Sequence, residues 1–449
     1  MDVNRINSIY FLGIGGIGMS ALARYFLWCG KTVCGFDRQE TPLTRVLVKE
    51  GVQIHYTESP SSIPAATDMV VYTPAIPVTN KEYVHLRSTK IPMYKRAEVL
   101  GMISRTVPTI AVAGTHGKTT VTTMLAHIFK VAGENFSAFM GGISVNYDTN
   151  FLGSVHPQWI IAEADEYDRS FLQLNPRIAI VTSMDADHLD IYGSADKLDE
   201  SFRLFVKNID SEGSLIVHNS LEKLSAMHPR QRDYGLSLPA HFGVENIELK
   251  SGKYHFDFVY DGQVYRFELG MAGRHNLENA LAAAAAATEV GINPEIIGKA
   301  LASYRGVKRR FEIHIQTPQL TYIDDYAHHP RELTACIESA REFFPGKKIS
   351  GIFQPHLYSR TRDFADDFAQ ALDLLDEVIL LDIYPARELP IEGVSSSMLL
   401  DKIKGTNKRL LDDDQLLDYI EKERFEVLLT MGAGNIDKYV EPIKEKLSR

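Results

Sequence analysis

The sequence predicts an α/β fold arranged as three domains. The chain has 449 residues, which is too many for a single hydrophobic core when a domain holds roughly 150 residues. Short apolar strands alternate with helical segments along the whole sequence, and this is the pattern of parallel sheets flanked by helices. We therefore predict domains at residues 1–105, 106–306 and 307–449.

The individual elements are predicted from apolar runs bounded by turn-forming residues. In the first domain, strands are expected at 8–13, 32–36 and 69–72, with a helix from about Met19. In the second, strands are expected at 109–113, 159–162 and 178–182, with an alanine-rich helix after Asn276. In the third, strands are expected at 320–323, 348–353, 378–381 and 427–431. The alanine run 282–287 is too short to cross a bilayer and is expected to be a packed helix.

Composition narrows the possible partners and the compartment. The formal net charge of -10 argues against nonspecific nucleic-acid binding, which needs a basic face. No apolar stretch is long enough to span a membrane, and the first residues lack the pattern of a secretion signal. Cys29, Cys34 and Cys336 have no metal-ligand spacing and are expected to be ordinary buried thiols. We expect a cytoplasmic protein.

A phosphate-binding loop is predicted directly after the strand 109–113. The glycines allow a tight turn whose amides face an anion at the start of a helix. Lys118 would reach the outer phosphates of ATP, and the hydroxyl of Thr119 would bind Mg²⁺. Val112 replaces the first glycine of the strict motif, and the structural alternative is a glycine turn with an incidental lysine. The loop consists of Gly114, Thr115, His116, Gly117, Lys118, Thr119 and Thr120.

Acidic residues follow two strands of the second predicted domain. Glu163 directly follows the strand 159–162, and His188 lies in an acidic stretch after the strand 178–182. The carboxyl ends of parallel strands form the ligand-binding edge of a sheet. Because Mg²⁺ prefers oxygen ligands, Glu163 is a natural ligand, whereas His188 suits a second metal or a water-held position. The alternative is that these are solvated loop residues and that His188 caps a helix.

A second glycine-rich loop lies near the amino terminus. Gly13, Gly15, Gly16 and Gly18 follow the first strand, and Asp37 ends the second. This spacing is typical of a Rossmann-like dinucleotide site. Since the same amides suit the diphosphate of any nucleotide, the pattern alone does not separate a nicotinamide cofactor from another nucleotide. A loop that binds nothing is the remaining alternative.

Several further stretches, in order along the chain, carry a family resemblance. They are Glu163–Glu166, 187–188, 273–280, 309–312, 324–330 and 354–363. Together with the phosphate loop they resemble the Mur ligases, the ATP-dependent enzymes that build the peptide of bacterial cell-wall precursors. The resemblance covers essentially the whole chain. It implies a Rossmann-like amino-terminal domain for a UDP-sugar, a central P-loop ATPase-type α/β domain and a Rossmann-like carboxyl-terminal domain that closes over the site.

The resemblance also implies roles for individual residues. Lys118 and Thr119 would hold phosphates and magnesium, and Glu163 and His188 would be metal ligands. ATP would contact Asn276, Asn279, Arg310 and Asp325. The muramate carboxylate and the amino acid would face Tyr326, His328, His356 and Arg360. The UDP diphosphate would bind Gly15, Gly16, Ile17, Gly18 and Met19, with Asp37 and Thr73 near the uridine.

The implied reaction joins L-alanine to UDP-N-acetylmuramate through an acyl phosphate. The stretch 354–363 favours L-alanine over an intact tripeptide, which is the alternative within the family. Other classes left open are a nicotinamide-dependent oxidoreductase and a noncatalytic nucleotide sensor, and the chain is expected to be a monomer or a homodimer. Leu357 stands where the family motif often has arginine, and Arg203 stands near the position of a carbamylated lysine in other members. The residues expected to take part in the chemistry are Lys118, His188, Arg310, His328, His356 and Arg360.

Overall fold

Helices and sheets of the protein group into two units along the chain. The computed structural model describes residues 5–154, 156–185, 192, 194–250, 252–386, 388–405 and 407–448. The first unit comprises residues 1–250, 254–270 and 277–305, and the second comprises 251–253, 271–276 and 306–449. Among the described residues, no helix is long and apolar enough to cross a membrane.

The amino-terminal sheet of the first unit is parallel and has the strand order β3-β2-β1-β4-β5. Strand order reverses between β1 and β4, and such a reversal opens a crevice at the carboxyl ends of the strands. The elements are β1 (Ser8–Leu12), α1 (Ile17–Trp28), β2 (Thr32–Phe36), α2 (Pro42–Lys49), β3 (Gln53–His55), β4 (Met69–Tyr72), α3 (Lys81–Arg87), β5 (Met93–Lys95) and α4 (Arg96–Ser104).

The central sheet has the order β15-β14-β13-β12-β11-β10-β6-β9-β7-β8. Its middle is parallel, with β6 between β10 and β9, and antiparallel pairs close it at β7 with β8 and β14 with β15. The elements are β6 (Thr109–Ala113), α5 (Lys118–Ala132), β7 (Phe136–Ser144), β8 (Thr149–Leu152), β9 (Trp159–Glu163), β10 (Ile178–Val181), α6 (Ala195–Lys207), β11 (Ser214–His218), β12 (Gln231–Tyr234), β13 (Phe242–Lys250), β14 (Lys253–Tyr260), β15 (Gln263–Leu269), α7 (Arg274–Val290) and α8 (Pro294–Ser303).

The sheet of the second unit has the order β16-β17-β21-β18-β19-β20. Strand β16 is antiparallel to β17, and the other pairs are parallel. The elements are β16 (Glu312–Gln316), β17 (Thr321–Asp325), α9 (Pro330–Phe343), β18 (Ile349–Phe353), α10 (Tyr358–Asp363), α11 (Ala365–Leu372), β19 (Glu377–Leu380), α12 (Ser396–Lys402), β20 (Lys408–Leu410), α13 (Asp413–Lys422), β21 (Val427–Met431) and α14 (Val440–Leu447).

All the predicted strands are present. The structure differs from the prediction at the ends of these strands and in the segments between them, where further strands occur. The alanine run is confirmed as packed helix, since residues 282–287 are 0% exposed. Helix α7 begins at Arg274, before the predicted position, because the polar residues ahead of Leu277 also form helical turns. Cys34 and Cys336 are buried as expected, but Cys29 is only half-buried because it caps the carboxyl end of α1. The domain boundaries remain a prediction.

Candidate active site

The predicted phosphate loop is a tight turn between β6 and α5. Gly114 and Gly117 have φ angles of +138° and +81°, which favour glycine. A Cβ at Gly114 would lie 2.0 Å from the Thr182 hydroxyl, and one at Gly117 would lie 2.4 Å from Asn279 Oδ1. Both positions therefore need glycine for close approach as well as for backbone conformation, and Asn279 lies against the loop.

Residues after β10 hold the outside of this loop. The His116 amide donates to Ser183 Oγ at 2.8 Å, and the Thr182 hydroxyl donates to the His116 carbonyl at 2.5 Å. Asp185 donates its amide to Thr115 Oγ1 at 3.0 Å. The turn is therefore fixed by the neighbouring strand end, which keeps it preorganised for a ligand. Thr119 and Thr120 lie in the first turn of α5 and are buried.

Lys118 is the first residue of helix α5, and its ammonium is surrounded by hydrogen-bond acceptors. Its ammonium donates to the Gly114 carbonyl at 2.7 Å and to Glu166 Oε1 at 2.9 Å. Burial alone lowers the pKa of Lys118, but the carboxylates of Glu166, Glu163 and Asp165 more than offset this and raise it. The lysine is therefore a fixed positive charge at the loop. Glu166 was not predicted as a functional residue.

Glu163 lies at the end of β9, next to the strand that precedes the loop. It pairs with Val112 in the parallel register, and its Oε2 accepts the Gly141 amide at 3.1 Å. The donor types fit a magnesium site, because a carboxylate and the Thr119 hydroxyl offer oxygen and phosphates with water can complete the shell. Among the described residues, no group of three or more His, Cys, Asp or Glu side chains forms a metal cluster. His188 lies outside the described residues.

The amino-terminal glycine loop is fixed by the residues predicted to lie near the uridine. Asp37 Oδ2 accepts the Gly15 amide at 2.7 Å. A Cβ at Gly13, whose φ is +84°, would lie 2.5 Å from Thr73 Cγ2. Asp37 and Thr73 therefore pack directly on the loop and set its shape.

A cavity of about 250 Å³ connects this glycine loop with Glu163. Arg96 lies in the cavity wall with one nitrogen 3.5 Å from Asp165 Oδ2, and a Cβ at Gly18 would lie 2.9 Å from Arg96 Cδ. The cavity thus brings a cation and two carboxylates to the end of the predicted diphosphate site. Its walls are formed by Gly16, Ile17, Gly18, Met19, Ala21, Leu22, Thr73, Arg96, Leu100, Phe139, Met140, Gly141, Glu163 and Asp165.

Arg96 and Gly141 were missed by sequence reasoning. Arg96 begins α4 immediately after the short strand β5, so it lies at the carboxyl edge of the first sheet. A prediction of β5 from the Met93–Lys95 run would have placed a basic residue at that edge. A larger cavity of about 820 Å³, which includes Trp28 and Lys130 in its wall, contains none of the predicted site residues.

In the second unit, Asp325 ends β17 and is held by backbone amides. Its carboxylate accepts the amides of Phe311 and Ala327, each at 2.7 Å. Burial raises the pKa of Asp325 to about 6, although the nearby Arg310 opposes the rise. The guanidinium of Arg310 lies 5.2 Å from the ring centre of Tyr326. The structure therefore brings together three residues that the sequence predicted for ATP and the substrates.

His328 and His356 lie side by side near this strand end. Their ring centres are 6.2 Å apart, and His356 also stacks on Tyr384 at 5.7 Å. Burial, together with His328 and Arg360, lowers the pKa of His356 to about 4. Burial also lowers the pKa of His328. Both imidazoles are therefore neutral at pH 7 and able to accept a proton.

The remaining predicted positions are placed as follows. Arg360 lies on α10, which begins after Leu357, a residue with φ of +70°. Asn276 is buried on α7 and donates its side-chain amide to the Ala272 carbonyl at 2.7 Å. Arg203 is exposed on α6. Leu357 lies in the turn that precedes α10, and its amide donates to the Tyr384 carbonyl at 2.9 Å.

Comparison with known proteins gives the family. Models of the Mur ligase family catalytic domain, the Mur ligase middle domain and the Mur ligase glutamate ligase domain match residues 8–107, 112–287 and 309–434. A UDP-N-acetylmuramate–L-alanine ligase of Parabacteroides distasonis is 46% identical over 100% of this chain and 99% of its own length. The enzyme of that name from Porphyromonas gingivalis strain W83 is 47% identical, with 98% of each chain covered.

Solved structures agree with the sequence comparison. The UDP-N-acetylmuramate-alanine ligase of Thermotoga maritima has a TM-score of 0.83 and 30% identity, with 98% of each chain covered. A murein peptide ligase of Psychrobacter arcticus, at 24% identity, shares the fold with a TM-score of 0.74 over 99% of each chain. The predicted three-domain α/β architecture is confirmed. The chain belongs to the Mur ligase family.

Proposed function

We propose that the protein joins L-alanine to the carboxylate of UDP-N-acetylmuramate at the expense of ATP, in the synthesis of peptidoglycan precursors. The observation that carries this is the cavity that runs from the glycine loop to Glu163, whose strand pairs with the strand leading into the phosphate loop. A UDP-sugar bound at Gly16 and Gly18 would direct its far end towards the ATP phosphates. The names of the relatives identify the same pair of substrates.

The chemistry requires activation of the carboxylate. A carboxylate and an ammonium do not condense in water, because hydroxide is a poor leaving group and the ammonium is not nucleophilic. Transfer of the γ-phosphoryl group of ATP to the muramate carboxylate gives an acyl phosphate and ADP. The neutral amine of L-alanine then attacks the acyl carbon, phosphate leaves, and an amide remains.

Positive groups must bring the two anionic substrates together. Lys118 would neutralise the ATP phosphates. Arg96 would bind the UDP-sugar in the cavity, at a point between the diphosphate and the carboxylate of that substrate. Arg310, beside Asp325 in the second unit, is proposed to stabilise the transferring phosphoryl group. Thr119, Glu163 and His188 would hold Mg²⁺, which supplies charge neutralisation at the phosphate oxygens.

The amine must lose a proton before it attacks. His328 and His356 have lowered pKa values and are neutral at physiological pH, so each can accept that proton. Arg360 adds positive charge beside both and is proposed to bind the carboxylate of alanine. Tyr326, whose ring contacts both Arg310 and His328, would complete the pocket.

The test is ATP-dependent phosphate release by the full chain with UDP-N-acetylmuramate and a panel of L-alanine, glycine, L-serine, D-alanine and the cell-wall tripeptide. We expect release with L-alanine and formation of the UDP-muramoyl-alanine product. Turnover with the tripeptide but not L-alanine would assign the recycling reaction instead. No ATP turnover with any combination, or a change in nicotinamide absorbance, would overturn the proposal.

A further inference from the structure

The buried carboxylate of Glu166 is the feature that the proposed reaction leaves unused. Its side chain is 0% exposed, and both of its oxygens lie within 2.9 Å of the Lys118 ammonium. A buried carboxylate is costly unless it is paired, so this ion pair accounts for its presence in the loop wall. Glu163, the proposed metal ligand, lies three residues earlier, at the end of β9, and lines the cavity.

The backbone holds Glu166 firmly in this position. The buried Tyr192 hydroxyl donates to the Glu166 carbonyl at 2.5 Å. Asp168 and Arg169 have φ angles of +51° and +54°, which residues other than glycine rarely adopt. The guanidinium of Arg169 lies 5.7 Å from the centre of the Tyr192 ring. Strained segments persist where the surroundings over-determine them, and they concentrate at functional sites.

Lys118 can satisfy Glu166 or an anionic ligand, but one ammonium cannot fully neutralise both. The Gly114 carbonyl at 2.7 Å fixes one of its three donors, and Glu166 takes another. A phosphate held by the loop would bring further negative charge to the same ammonium and close to the Glu166 carboxylate. The Glu166 carboxylate is therefore expected to lower the affinity of the loop for phosphate.

We propose that Glu166 is a positioning residue that competes with the nucleotide phosphates for Lys118, weakening the binding of ATP and ADP so that ADP leaves after each turnover. This inference rests on the proposed ATP site. Glu166 does not touch the reacting atoms in this scheme and acts through Lys118.

The substitution Glu166→Gln isolates the charge, because glutamine keeps the shape and an acceptor oxygen but removes the anion. The matched control is Glu212→Gln, which makes the same chemical change at an exposed carboxylate away from the loop. Glu212 is 72% exposed and pairs with Arg177 at 3.2 Å. The nucleotides to compare are ATP, ADP and adenosine, each measured by isothermal titration calorimetry on the full chain with magnesium.

We expect Glu166→Gln to bind ATP and ADP at least about threefold more tightly and to release ADP more slowly, with adenosine affinity unchanged. Glu212→Gln should bind all three like the wild type. Damage to the loop would weaken ATP binding, so an unchanged or weaker affinity in Glu166→Gln overturns the inference. If that variant does not fold, Glu166→Asp, which withdraws the carboxylate from Lys118, must show a smaller tightening of the same kind. Failure of the wild type to bind ATP would instead overturn the proposed function.

Discussion

The carboxylate of Glu163 accepts the backbone amide of Gly141 at 3.1 Å, and a Cβ at Gly141 would lie 2.1 Å from the same oxygen. This contact joins β9 to β7 at the end of the cavity that leads from the glycine loop. It orients one carboxylate oxygen in the wall of that cavity. Loss of a group that orients a metal ligand typically costs about 10–100-fold in metal affinity or activity.

Glu163→Gln is expected to raise the Mg²⁺ concentration needed for half-maximal ligation by about tenfold or more, because the amide keeps the Gly141 contact but loses the charge. Activity should be titrated with Mg²⁺ at saturating ATP. Glu212→Gln, which removes an exposed carboxylate, is the control and should leave the midpoint unchanged. An unchanged midpoint in Glu163→Gln would remove this residue from the metal site.

Lys118→Ala is expected to lower the rate of ATP-dependent ligation by about 10²–10³-fold, since a preorganised charge at the phosphates is lost. Lys130→Ala, on the exposed last turn of the same helix, should retain the wild-type rate. Phosphate release under saturating substrates is the measurement. Equal rates in the two variants would contradict the proposed phosphate loop.

Arg96→Ala is expected to raise the KM for UDP-N-acetylmuramate by about tenfold, because a charge-assisted hydrogen bond is lost from the cavity. The KM for ATP should stay close to that of the wild type. Arg105→Ala, just after the end of the same helix, provides the control, since Arg105 is exposed and bonds to the Gln173 carbonyl. A larger effect on ATP than on the UDP-sugar would contradict the assignment.

The pKa of His356 predicts a loss of stability in acid. Its pKa is lowered from 6.5 to about 4, so between these values the unfolded chain binds more protons than the folded chain. This contribution to stability is present above pH 6.5 and declines as the pH falls towards 4. Asp325, with its pKa raised from 3.8 to about 6, has the opposite effect between those values.

Comparison with His356→Gln therefore isolates the histidine. On going from pH 7 to pH 5, the urea midpoint of the wild type should fall by more than that of His356→Gln. Fluorescence and circular dichroism should be recorded together, because a chain of two compact units need not unfold in one step. Parallel shifts in the two proteins would show that His356 is not the cause.

Sequence patterns located the central apolar strands of each sheet. They missed strands β7, β8 and β13 to β16, most of which pair antiparallel, and five parallel strands, which are β3, β5, β11, β12 and β20. Strands β6 and β21 are buried at every residue and are apolar except for one threonine each, and their bounds were predicted correctly. Strand β13 alternates between exposed and partly buried residues after Val244 and gives no such run. The signal that would have revealed the hairpin of β14 and β15 is Asp261-Gly262, a two-residue turn with φ angles of +50° and +70°.

The sequence by itself determined the α/β class, the family resemblance and the phosphate loop, because a strand, a glycine turn and a helix that follow one another interact locally. The pairing of Lys118 with Glu166 joins residues 48 positions apart, and that of Arg96 with Asp165 joins residues 69 positions apart. Only the tertiary structure decided these contacts. Their partners meet because the strand order of the sheets and the packing of distant segments bring them together, and neither is encoded in local spacing.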